Sequence, residues 1–149
     1  MQYSWDRHDR LSVIAGVCFS PVQHRPHLFF QIHQQNIRFD AVIAFLGLVH
    51  QHVKKKFILI LDRYSAHRKA IRLLQEQHPD WIEVVWLPAY APELNPVEMV
   101  WNHSKYGDLA NFLPGGIDHL REAVSASLER METETALLLS CFRYTGLEW

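Results

Sequence analysis

Leu87-Pro88-Ala89-Tyr90-Ala91-Pro92-Glu93-Leu94-Asn95-Pro96, running on into Val97-Glu98-Met99-Val100-Trp101, decides how this chain is read. Prolines at 88, 92 and 96 make the stretch a stiff loop, because each locks φ at about −65° and removes a backbone donor. Asn95 is expected to cap a helix reaching about Tyr106, with Pro96 at its favoured first position. Glu98 then sits in the first turn. Upstream, Phe57-Ile58-Leu59-Ile60-Leu61 is a short apolar run of the kind found in central strands, and it ends in Asp62. The 35 residues 63–97 lie between the two acids.

Each acid has an ordinary explanation when taken alone. An aspartate opening a strand-to-helix loop is commonly a turn or capping residue. Asn95-Pro96-Val97-Glu98 has the cap, the proline and the acid that a capping box uses. Neither explanation calls for Leu87-Pro88 ahead of a tyrosine and two further prolines, nor for an aspartate at the end of a strand upstream.

The rest of the chain supplies a scaffold for the pair. Leu11 to Phe19 reads as a strand buried on both faces, ended by Ser20-Pro21, and Leu28 to Ile32 as its antiparallel partner. Asp40 is expected to cap a helix carrying Val42, Ile43, Phe45, Leu46 and Val49, and Ser65 one carrying Ile71, Leu73 and Leu74. Trp81 to Trp86 is the next strand. A later helix places Ile117, Leu120, Val124, Leu128 and Met131 on one face, and the tail Leu137 to Phe142 is expected to pack back on the body.

Composition narrows the function classes. A chain of 149 residues is one domain by length and buries roughly 70% of its unfolded surface. Hydrophobic residues at 48% and charged residues at 21% are globular values. No apolar run is long enough to span a membrane and no signal-peptide pattern opens the chain, so an intracellular, cytoplasmic protein is expected. Cys18 and Cys141 form neither a disulfide framework nor a metal-ligand spacing. A net charge of −1 is low for a free-standing DNA binder. Basic residues nevertheless gather at Lys54-Lys55-Lys56 and at Arg63, His67, Arg68, Lys69 and Arg72. A zinc hydrolase is disfavoured because the ten histidines form no His-Glu-x-x-His.

Asp62, Leu87, Pro88, Tyr90, Pro92, Leu94, Asn95, Pro96, Glu98, Trp101 and Lys105 together resemble the second and third carboxylate motifs of DDE transposases of the bacterial insertion-sequence and mariner superfamily. The pattern is specific at these positions and weaker from about Trp5 to the C-terminus. One departure is Arg63, where family members usually carry asparagine; an arginine there still reaches phosphate.

The resemblance implies an α/β fold, an RNase H-like mixed sheet with flanking helices. Residues 1–149 would be a partial catalytic domain, with 109–149 a helical extension. It implies metal-dependent cleavage and joining of DNA at transposon ends, using two Mg2+ or Mn2+ ions, one activating the attacking oxygen and one the leaving oxygen. Asp62 and Glu98 would be metal ligands, and Arg63, His67, Asn95 and Lys105 would contact DNA or support the site. The partners implied are transposon-end and target DNA, with nucleoid association when bound.

In that fold the first catalytic aspartate lies on the first central strand, which is expected upstream of Met1; Asp6 and Asp9 are weak substitutes. No helix-turn-helix pattern is present either. The expectation is therefore a truncated domain that does not transpose DNA alone, or a non-catalytic remnant that binds DNA or an intact transposase. Either Leu11 to Phe19 pairs with Phe57 to Leu61, or an open edge invites self-association or a complementary fragment.

Overall fold

The computed structural model describes residues 2–4, 10–113 and 115–146. It is an α/β structure divided into two compact units, Met1–Asn36 with Pro96–Trp149, and Ile37–Asn95. No helix among the described residues is long and apolar enough to cross a membrane.

The first unit is built on an antiparallel sheet of β1 (Gln2–Ser4), β2 (Arg10–Ser20) and β3 (Arg25–His33), with β2 in the middle. The β-branched Val13, Ile14 and Val17 favour a strand over Leu11 to Phe19, as expected, but only Leu11, Ser12 and Val13 are buried and the remainder is half-buried. Its register with β3 runs from Ser12↔His33 to Ser20↔Arg25. Four residues turn the hairpin, with His24 at φ 52° and its N–H donating to Ser20 O at 2.7 Å. Helices α3 (Val97–Asn102), α4 (Ile117–Glu132) and α5 (Thr135–Tyr144) pack on this sheet. Leu120, Val124, Leu128 and Met131 recur at helical spacing on α4 and are buried against Leu11, Val13, Leu28, Val100, Trp101, Leu138 and Cys141. The tail 137–142 does pack back on the body, with Leu138, Cys141 and Phe142 buried.

A buried polar cluster fastens the turn after α3, where His103–Asp108 forms a π-helical turn. Ser127 Oγ of α4 donates to Asp108 Oδ2 at 2.8 Å, and the Ser104 and Ser127 hydroxyls lie 2.9 Å apart. Arg130 forms an ion pair with Asp108, and His103 Nε2 lies 3.7 Å from it. Burial alone would push the Asp108 carboxyl up, but the Ser127 hydroxyl and the Arg130 guanidinium outweigh it and hold it below the usual carboxylate range.

The second unit pairs β4 (Phe57–Leu61) with β5 (Ile82–Trp86) in parallel, from Phe57↔Ile82 to Leu61↔Trp86. A parallel pair needs a crossover, and α2 (Ser65–Gln77) supplies it. Helix α1 (Phe39–Val53) buries Val42, Phe45, Leu46 and Val49 and packs against α2, whose buried face is Ala70, Ile71 and Leu74. Trp81 is clamped between the imidazoles of His50 and His78, stacked at 4.2 and 3.8 Å between centroids. That clamp ties the end of α1 and the end of α2 to the start of β5.

Three expected caps differ. The residues at the N-caps are Arg38, Tyr64 and Pro96, none with a side-chain capping bond. Asp40 falls inside the first turn of α1 and accepts the N–H of Ala41, its next residue. Ser65 is the first helical residue of α2 and Asn95 precedes the cap of α3. Among the described residues β2 pairs with β3 from Ser12 to Ser20 and with β1 at residues 10–12, and β4 pairs with β5; the expected pairing of 11–19 with 57–61 is not one of these ladders. Asp6 and Asp9 lie outside the described residues.

Candidate functional site

Asp62 is the first residue beyond β4, and the ladder ends just before it, where the Leu87 N–H donates to Leu61 O at 2.9 Å. Arg63 Nε donates to Leu87 O at 3.2 Å, so the loop after β4 is tied to the start of the proline loop after β5. The chain then turns on the aspartate itself: Asp62 Oδ1 accepts the Tyr64 N–H at 3.1 Å, an Asx turn leading into α2. One helical turn on, His67 Nδ1 donates to the same oxygen at 2.8 Å. That contact places the proton on Nδ1. The Tyr64 ring meets the imidazole edge-on at 5.5 Å between centroids.

These donors set the electrostatics of the acid. The His67 hydrogen bond holds the Asp62 carboxyl below the usual carboxylate range; partial burial works against it, and the Tyr64 N–H adds to the lowering. The Asp62 side chain is 54% exposed and that of His67 25%. The result is an ionised, oriented carboxylate with Oδ1 held by two donors, and its turn-forming role and its reach to solvent coexist. Oδ2 accepts no hydrogen bond from the described residues. Such a group fits as one hard oxygen ligand of a divalent cation. Within either unit, no three His, Cys, Asp or Glu side chains among the described residues are grouped to hold a metal.

The proline loop carries the chain from β5 toward α3. Tyr90 stands fully exposed at φ 58°, a backbone conformation uncommon for a side chain of this size. Pro92–Leu94 closes a single 3-10 turn, in which the Asn95 N–H donates to Pro92 O at 3.0 Å. Glu98 is the second residue of α3 and half-buried. The Asn95 N–H, which a capping box would give to Glu98, donates to Pro92 O. Lys105 lies in the π-helical turn and is half-buried.

The second unit thus brings Asp62, Arg63 and His67 together, while Glu98 and Lys105 belong to the first unit. Tyr64 was not singled out from the sequence. The signal available was its position two residues after an aspartate, the spacing of an Asx turn.

No curated protein matches the chain. Residues 2–112 match the DDE superfamily endonuclease family, a span that includes β1 to α3, Asp62 and Glu98. Enzymes of this family act on DNA with a nuclease or transposase type of activity and generally use divalent metal ions. The chain belongs to the DDE superfamily endonuclease family.

Proposed function

We propose that this chain is the catalytic part of an insertion-sequence transposase, in which Asp62 and Glu98 are ligands for Mg2+ or Mn2+ during cleavage and strand transfer at transposon ends. The observation that carries the reading is the Asp62 carboxylate at the end of a parallel strand, ionised and oriented through one oxygen by His67 and Tyr64. A divalent pair supplies the electrophilic stabilisation of a phosphodiester displacement. The protein's own residues hold and orient. His67 keeps Asp62 charged and aimed, while Arg63, already tied to Leu87 O through Nε, keeps its other guanidinium nitrogens for a phosphate. Asn95 and Lys105 flank Glu98 in sequence and are assigned to DNA contact or site support.

The test is Mn2+ binding, followed by the loss of the free-ion resonance signal, in the presence and absence of DNA carrying the element's ends. The reading expects D62N and E98Q each to weaken binding about tenfold or more, as loss of one ligand does, and end DNA to tighten it in the wild-type chain. Mn2+ affinity indifferent to both substitutions would contradict the assignment.

A further inference from the structure

An open groove of about 390 Å³ runs along α2 beside the end of β5, lined by Arg68, Ile71, Arg72, Gln75, Glu76 and Trp86. Arg68, Arg72 and Gln75 recur at i, i+4 and i+7 and form one stripe of the helix. Ile71 is buried and Trp86 half-buried, so the floor is apolar and aromatic while the rim is exposed and cationic. Neither Arg68 nor Arg72 makes an ion pair or a side-chain hydrogen bond among the described residues. Lys69, between them in sequence, is instead placed over the Phe39 ring at 3.9 Å. Two of the groove's lining residues neighbour those around the acid. Trp86 pairs in register with Leu61, the residue before Asp62, and Arg68 follows the His67 that holds Asp62.

We propose that this groove seats a DNA strand leading away from Asp62, with successive phosphates on Arg68 and Arg72 and one base face against Trp86. The assignment rests on the DNA-cleaving reading above. Two guanidiniums with no carboxylate partner are matched by two phosphates, to which arginine donates in a bidentate fork. Their separation along the helix is about 6 Å, four residues at ~1.5 Å each, which suits neighbouring phosphates of one strand. An indole on the floor stacks with any base and so adds affinity without sequence preference. Glu76, at the far end of the stripe, repels a third phosphate and limits the tract to the half nearer Asp62.

The probe is a fluorescein-labelled thymidine oligonucleotide, with anisotropy read on the whole chain across a potassium chloride series. Both arginines are exposed, so R68A/R72A is expected to keep the wild-type unfolding temperature. That variant should flatten the plot of log affinity against log salt by about 1.4, two phosphates at ~0.7 each. W86L should weaken binding about tenfold with the slope unchanged, and W86F, which keeps a ring, should retain more. K69A removes one positive charge from the same helix and should leave the slope as it is. An unaltered slope in R68A/R72A, or tighter capture of a poly-glutamate peptide than of the oligonucleotide at equal salt, would overturn the proposal. Mn2+ binding measured on the same samples separates the two readings. Retained Asp62-dependent Mn2+ binding with unchanged strand affinity in R68A/R72A and W86L removes the groove alone; Mn2+ binding insensitive to D62N with the groove effects intact supports the groove and removes the metal assignment.

Discussion

The charge on Asp62 depends on one neighbour more than on any other. His67 Nδ1, 2.8 Å away, is the largest cause of the lowered carboxyl affinity for protons. Replacing His67 by alanine should therefore raise the Asp62 pKa toward the ordinary carboxylate value, read as the pH midpoint of its carboxyl carbon resonance. A midpoint that does not move would mean that the hydrogen bond is not formed in solution. The linkage has a definite sign. Because the folded-state value is depressed, Asp62 contributes stability above its unfolded value, and that contribution is lost as pH falls through the folded value. It is a small contribution, since the side chain is half exposed and screened by solvent. Cys141 goes the opposite way: fully buried, its thiol is pushed up to about 11. It should resist alkylation at neutral pH in the folded chain and react promptly once urea unfolds it. Rapid native labelling would show that α5 does not stay packed.

At the level of elements, what the sequence displayed was periodicity, and what it concealed was how chains enter helices. The α4 stripe Leu120, Val124, Leu128 and Met131 could be read directly because apolar spacing of three and four has one meaning when the intervening residues are polar. Leu128, fully buried within the core, should cost about 2 to 5 kcal/mol when cut to alanine, measured by urea unfolding; a loss well under 1 kcal/mol would mean that the site collapses around the gap. Caps were less legible. Asp40, Ser65 and Asn95 have capping chemistry, yet each sits one or two residues from an entry made by Arg38, Tyr64 or Pro96. The backbone settles these entries, with Arg38 and Tyr64 extended in ψ and Pro96 already helical, and a side-chain rule does not register that. The Asp108 cluster was also hidden, because its partners Ser127 and Arg130 lie on a later helix and no motif announces them. Asp108→Ala leaves a buried hydroxyl without its acceptor and should lower stability by about 1 to 3 kcal/mol. Thermal unfolding indistinguishable from wild type would show that the cluster contributes nothing.

For the whole molecule, the α/β class and the order of the elements from β2 to α4 followed from the sequence, because strands and helices here differ plainly in period and length; the helix α5 was read only as an apolar tail. The division of the strands into an antiparallel sheet and a parallel pair did not, since pairing is set by partners distant in sequence. The candidate site was legible for a different reason. Asp62 and Glu98 stand out through the loop chemistry around them, Leu87 to Pro96, and not through any property of the acids themselves. His67 was visible as a residue but its grip on Asp62 was not, since one histidine among ten carries no label. The central claim is the proposal that Asp62 and Glu98 are both metal ligands. Iron substituted for magnesium, with ascorbate and peroxide, generates hydroxyl radicals that cut the backbone beside the bound ion, and mass spectrometry maps the cuts. The account predicts two clusters of cuts, one around Asp62 and one around Glu98, both suppressed by excess Mg2+ and both lost in D62N. Cuts confined to one of the two segments, or cuts that persist unchanged in D62N, would contradict it.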